Sequence, residues 1–219
     1  MSQQLLVVEG RCDADFYDAF CRECGHKDIL VTQPSVCGGG GDGKGNAISL
    51  LPLLVLQMHD GSVDRLAAVI DADFASEGTG FVQVRDQVEQ IFQDEGFSPA
   101  AGLPAGISGR VFTHPGSNLR AGYWIMPNNA QDGMLEDFVL GAVTNAAQTS
   151  LLARARKAVG QIPQPLFKAI HRSKADAATW MAWQKIPGQP VVGAIGGKLV
   201  DMNHTSIIAF RSWLQQIFN

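Results

Sequence analysis

Leu66-Ala67-Ala68-Val69-Ile70-Asp71-Ala72-Asp73 is the stretch from which the fold of this chain is read. Its apolar run is too short for a helix, carries branched Val69 and Ile70, and predicts a buried strand that stops at two carboxylates. Working outward, Leu5-Leu6-Val7-Val8, bounded by Glu9-Gly10, reads as a second strand. Ile29 to Thr32 and Gly122 to Met126 read likewise, the latter halted by Pro127-Asn128-Asn129, and Arg110 to Thr113 reads as a shorter strand. Helical patterns lie between them. Asp13 to Gly25 has Phe16, Ala19 and Phe20 on one face, and Phe81 to Glu95 carries a stripe of Val84, Val88, Ile91 and Phe92. Asn46 to Met58 is also helical, with Pro52 expected near its first turn or at a kink. Strand and helix alternating in this way predict an α/β fold with a mostly parallel sheet flanked by helices.

Beyond these elements, Ser98 to Gly109 reads as loop and Gln161 to Pro165 as a break. Met134 to Leu152, Phe167 to Gln184 and Ser206 to Phe218 read as helices. The expected organisation is an α/β domain over residues 1–140 and a helical extension over 141–219 packed on the same domain. Trp180, Trp183 and Trp213 fall at core-like helical positions and are expected to pack rather than to stack on bases.

With 46% hydrophobic and 17% charged residues in 219, the composition is that of a globular chain and excludes a largely disordered one. No fixed period recurs and no apolar run is long enough to span a membrane. Met1-Ser2-Gln3-Gln4 lacks a basic n-region and an apolar h-region, so no signal peptide is expected. Cys12, Cys21, Cys24 and Cys37 are then expected as reduced thiols in a cytoplasm. Cys21-x-x-Cys24 has no second CxxC to pair with, and reads as structural.

The net charge of −4 conceals an asymmetry. Residues 1–137 hold 19 acidic against 8 basic residues (net −11), and residues 138–219 hold 2 against 9 (net +7). An acidic front beside a basic back suits a metal site that handles a polyanion, with solubility patterning as the plainer reading.

In an open parallel sheet, sites form at the carboxyl ends of strands. Glu9, Asp71, Asp73 and Asn128-Asn129 all follow predicted strands, so parallel packing would bring them to one edge. Carboxylates gathered there repel one another unless a cation neutralises them. Oxygen donors suit Mg²⁺ or Mn²⁺ rather than Zn²⁺, and the five histidines show no zinc-like spacing. The alternative is that these acids only cap helices or bind backbone amides.

Gly38-Gly39-Gly40-Gly41-Asp42-Gly43-Lys44-Gly45 sits between a strand and a helix and nearly spells a Walker A loop. Gly45 stands where the Mg²⁺-binding Ser or Thr would be. Three readings stay open: a nucleotide-binding P-loop, a glycine-rich turn whose amides cradle substrate phosphate, or a loop without a ligand. On the second reading Gly40, Gly41, Gly43 and Lys44 bind phosphate, with Arg11 as a further contact.

Leu6-Val7-Val8-Glu9-Gly10 followed by Asp13, together with Ala68-Val69-Ile70-Asp71-Ala72-Asp73, resembles the Toprim signature of topoisomerases, DnaG-type primases and OLD-type nucleases. The resemblance covers roughly residues 4–140. Trp124-Ile125-Met126-Pro127-Asn128-Asn129, Gly133-Met134-Leu135-Glu136-Asp137-Phe138 and Trp180-Met181-Ala182-Trp183-Gln184 are similar to an uncharacterised bacterial Toprim-like family. The resemblance implies that Glu9 acts as acid/base or metal ligand, and that Asp71 and Asp73 bind metal. Ala75 replaces the third aspartate of topoisomerases and primases, which brings the pattern nearer the nuclease branch. There Asp13 is similar to the second acid, Glu136 to a late ligand, and Lys174 to a late charge-stabilising lysine. The implied function is Mg²⁺- or Mn²⁺-dependent cleavage of phosphodiesters in nucleic acid, with the basic C-terminal segment holding phosphate backbone. The competing reading is a non-catalytic Toprim-like module that binds a ligand or a protein partner.

Overall fold

The computed structural model describes residues 3–38, 40–103 and 109–219. Its centre is a six-stranded sheet of β1 (Gln3–Val7), β2 (Ile29–Thr32), β3 (Val63–Asp71), β4 (Ser98–Pro99), β5 (Arg110–Thr113) and β6 (Arg120–Met126), in the order β2-β1-β3-β6-β5-β4. β2, β1, β3 and β6 run parallel, and β4 and β5 are added antiparallel at one edge. The sheet is thus mostly parallel and carries helices on both faces.

Alternation along the strands divides the core into two layers. Leu6, Val8, Ala67, Val69, Trp124 and Met126 face one side, and Leu5, Val7, Leu66, Ala68, Tyr123 and Ile125 the other. Because both sides are covered, the strands read as unbroken apolar runs. α2 (Lys44–His59) and α3 (Phe81–Asp94) cover the second side, through Leu51, Val55, Val88 and Phe92 among others. α1 (Arg11–Glu23) and α8 (Thr205–Phe218) cover the first, where Phe210 and Trp213 pack on Trp124 and Phe16 and Phe20 join the same cluster. The remaining helices, α4 (Leu135–Gly141), α5 (Ala146–Gly160), α6 (Arg172–Ala182) and the short α7 (Gly193–Gly196), join that layer.

The C-terminal helices share one core with the sheet. Gly122 in β6 makes room for Ile217 of α8: a Cβ there would lie 2.4 Å from Ile217 Cδ1. Trp213 Nε1 donates to Arg110 O at 3.0 Å, and the Arg120 guanidinium donates to Gln216 O.

Several elements differ from the sequence reading. α2 begins at Lys44, so Pro52 lies well inside it rather than near its first turn. An interior proline costs about 3 kcal/mol. Leu50, Leu51, Leu54 and Val55, buried on either side of it, supply the offsetting contacts. The helix expected over Met134 to Leu152 is two helices. Asn145 accepts from Ala147 N and Gln148 N and caps α5, while Ala142 O is taken by Asp201 N. The helix expected from Phe167 starts only at Arg172, after a 3₁₀ turn at Ala169–His171. Trp180 and Trp213 are fully buried, but Trp183 ends α6 and is 44% exposed. Part of the predicted 98–109 loop lies outside the described residues, and Ser98–Pro99 within it forms β4. No helix among the described residues is long and apolar enough to cross a membrane.

Candidate functional site

β1 and β3 are neighbours in register, Val7 beside Ala68, so the residues that follow them emerge together. Glu9 Oε1 accepts the backbone N–H of Asp71 at 2.7 Å. Asp71, the last residue of β3, in turn accepts the N–H of Leu135, the first residue of α4, on Oδ1 at 2.9 Å. One carboxylate pair thus ties β1 to β3 and β3 to the start of α4. Glu136, next along α4, lies 3.9 Å through Oε1 from Lys174 Nζ of α6. Its Oε2 is buried with no hydrogen-bond partner. Asp13, in the first turn of α1, feels Glu136 and Lys174 electrostatically, and Glu9 feels Asp13 and Asp73.

Asp73 is held separately. Its φ of 54° is a left-handed backbone, fixed by paired hydrogen bonds with Gly133, each 2.9 Å. Its Oδ2 meets Lys44 Nζ at 2.5 Å, and the same ammonium donates to Ala72 O at 3.1 Å. Asp132 braces the turn from behind by accepting from Ala75 N and Phe81 N at 2.9 and 2.7 Å. Sequence reasoning missed Asp132. It has no motif, and its role appears only where the loop after β6 folds back on the loop after β3.

The electrostatics follow from the crowding. Burial pushes Glu9 up to about 7, with Asp13 and Asp73 adding to it and the Asp71 amide and Lys44 opposing. Burial, then Glu136, pushes Asp13 up to about 6. Asp71 is raised well above the carboxylate range by burial, then by Glu9, Asp13 and Glu136. Burial works against the Lys174 ammonium, but Glu136, Asp71, Asp13 and Asp73 outweigh it and its pKa rises. Tyr17, buried beneath the cluster, is raised by burial and then by Asp71, Asp13, Glu9 and Glu136.

The glycine loop meets the cluster differently from a phosphate loop. Gly43 N donates to Glu9 O at 2.7 Å, and Gly41 O accepts from Asn46 Nδ2 at 2.7 Å. Gly40 is exposed with φ 86°, and Gly39 lies outside the described residues. Lys44 is engaged by Asp73. Arg11 turns away to Asp15, 2.9 Å from its Nε, and is largely solvent-exposed. Asn129, read as a strand-end polar group, is buried and accepts Ile125 N at 2.9 Å, closing the end of β6. The thiols are all free, and burial pushes Cys21 up to about 12.

Five carboxyl groups (Glu9, Asp13, Asp71, Asp73, Glu136) therefore stand against two ammonium groups (Lys44, Lys174) at the carboxyl edge of the parallel strands. Among the described residues, no three His, Cys, Asp or Glu side chains converge at metal-ligand distance. The donor chemistry nonetheless fits a hard divalent cation: oxygens only, an excess of negative charge, and one buried carboxylate oxygen without a partner.

The model of the family described as "Protein of unknown function (DUF3226)" matches residues 3–219. The chain belongs to the DUF3226 family. No curated protein and no solved structure matches it. Because the DUF3226 match spans the sheet and the C-terminal helices alike, the residues that bear on the cluster from both parts, Glu9 and Lys174 among them, fall within one family unit.

Proposed function

We propose that this protein is a Mg²⁺- or Mn²⁺-dependent phosphodiester-cleaving enzyme acting on nucleic acid, built on a Toprim-like α/β domain of the nuclease type. The observation that carries the reading is the Glu9 to Asp71 contact. It joins the acid after β1 to the acid ending β3, within the electrostatic reach of Asp13 and Glu136. Glu9, Asp71, Asp13 and Glu136 would hold the ion, with Asp73 at the side. A divalent cation at such a cluster polarises phosphoryl oxygen and lowers the pKa of water. Without a cation, burial pushes Glu9 up to about 7, and a bound cation would favour its carboxylate form. Lys174 presents a half-exposed ammonium to a phosphate that enters over Glu136. The reading includes a cytoplasmic location, supported by the four free cysteines.

The test is cleavage of labelled single-stranded DNA, duplex DNA and RNA with Mg²⁺, with Mn²⁺ and with EDTA. Metal-dependent cleavage lost in Glu9→Gln and Asp71→Asn is the expected result. Intact substrates under every metal, with no heat of Mn²⁺ binding, would overturn it.

A second reading, a non-catalytic ligand- or partner-binding module, draws support from Lys44 and Lys174, which already neutralise part of the cluster. Nucleotide binding through a P-loop has less support, because the Lys44 ammonium and the Gly43 amide are both occupied within the protein. ATP binding abolished by Lys44→Ala, with the carboxylate variants unaffected, would favour it.

A further inference from the structure

Two clefts flank the cluster. The larger, about 900 Å³, runs along the start of α3 past Phe81 and Ile91, and among its lining Asp132 is already committed to Ala75 N and Phe81 N. None of the five clustered carboxylates lines it.

The smaller, about 340 Å³, opens directly from the cluster. Glu136 and Lys174 of the cluster are among its lining. Ala177, Ala178 and Met181 of α6 form one wall, and Gly188 to Val191 the other. Ala177 and Ala178 on one side, with Gly188 and Pro190 on the other, keep this slot open. Gly193 holds the slot's shape: a Cβ there would lie 2.5 Å from Gln189 Oε1 and 3.1 Å from Met181 Cε, so its absence lets both side chains settle against α7.

We propose that this slot binds the nucleoside next to the phosphate under attack, so that the site takes one unstacked or terminal nucleotide at a time. The inference rests on the phosphodiester-cleaving reading above and names its substrate class. Its volume lies at the small end of ligand sites, roughly 300–1,000 Å³, and admits a nucleoside but no stacked duplex. Apolar walls are what an extruded base stacks between, with polar groups reading its edge. Here the cleft offers the amide of Gln189, and Lys174 stands where the phosphate would join. Cys12 lines the same cleft as an exposed free thiol and gives the proposal a reporter.

The experiment measures binding of AMP, CMP and ribose 5-phosphate by calorimetry, and their protection of Cys12 from iodoacetamide. Ala178→Trp narrows the slot from an exposed position of α6 and replaces none of the carboxylates, and Gln189→Ala is the milder second variant. Both mononucleotides are expected to bind better than ribose 5-phosphate and to slow Cys12 alkylation. Ala178→Trp is expected to weaken mononucleotide binding by about tenfold or more while Mn²⁺ binding stays at the wild-type level. In cleavage assays single strands are expected to be preferred over duplex. Equal binding of ribose 5-phosphate and the mononucleotides, or unchanged nucleotide binding in both variants, overturns the slot and leaves the metal reading intact. Loss of the metal reading would instead appear as absent Mn²⁺ binding in the wild type.

Discussion

Lys44 Nζ sits 2.5 Å from Asp73 Oδ2 and 3.1 Å from Ala72 O, so the lysine of the glycine loop closes onto the turn that follows β3. Its side chain is only 15% exposed, against 38% for Asp73. Lys44 also draws Glu9 toward its charged form, against burial and the neighbouring acids. One ammonium thus holds two strand-end loops together and tempers the cluster between them.

Removing that charge has a readable consequence. In Lys44→Met, Glu9 loses its opposing cation and its pKa is expected to climb further above about 7. Titration of the Glu9 carboxyl carbon by NMR checks this. A Glu9 pKa that falls or stays fixed would show that Lys44 does not act on the cluster.

The raised carboxyl groups make stability depend on pH. For Glu9 the folded value of about 7 lies above the ordinary value of 4.5, so the folded state holds the proton more tightly than the unfolded state. Stability is therefore full below about 4.5 on this account, and falls as pH rises through about 7, by on the order of 3 kcal/mol for Glu9. Asp13 contributes in the same direction between 3.8 and about 6. The melting temperature in EDTA is expected to be higher at pH 5.5 than at pH 8, and Mg²⁺ or Mn²⁺ is expected to restore it at pH 8. A melting temperature that rises with pH, or ignores the cation, would contradict the charge excess.

Glu9→Gln and Asp71→Asn keep the oxygens that accept Asp71 N and Leu135 N but remove ionisable groups whose charged form burial disfavours. Both variants are expected to melt several degrees higher than wild type at pH 8 in EDTA, and to lose the cation-induced gain. At this chain length about 1 kcal/mol corresponds to roughly 2–4 °C. Scanning calorimetry with and without Mn²⁺ separates the two effects. Lower melting temperatures in EDTA would mean that the carboxylates serve chiefly as structural ties.

Asp132→Ala removes the acceptor of Ala75 N and Phe81 N together. A loss of about 1–3 kcal/mol is expected in urea unfolding, with faster amide exchange at Ala75 and Phe81. Unchanged exchange would show that the turn after β3 holds its shape without the brace.

The contact of α8 with the sheet is tested at Gly122. A methyl group there would meet Ile217 Cδ1 at 2.4 Å and Arg110 O at 2.6 Å. Gly122→Ala is expected to cost about 1–3 kcal/mol by overpacking. Gly141→Ala, where nothing lies within 4 Å of the added methyl, is the neutral comparison. Equal melting temperatures for the two variants would mean that α8 is not seated on β6 as described.

Much of the fold was legible in the chain because the strands carry their own signal. Leu66 to Ile70 and Gly122 to Met126 are apolar on both faces, a pattern that only a covered parallel sheet requires. The helices were less so. The end of α4 and the start of α5 depend on Asn145 capping and on Asp201 reaching Ala142 O from far along the chain, and no local periodicity records that. Pro52 shows the reverse case, a strong local signal overridden by packing on both sides of the proline.

The sequence by itself determined that acids end the apolar runs at Glu9 and at Asp71-Ala72-Asp73, because hydrophobic run length and the polar residue that stops it are local properties. Only the tertiary structure decided how those acids divide. The parallel register of β1 and β3 joins Glu9 to Asp71, whereas the left-handed turn at Asp73 gives that carboxylate to Lys44. It likewise set Lys174 beside Glu136 across α6 and α4, since a contact between two helices depends on how each packs on the shared sheet and is written in neither segment alone.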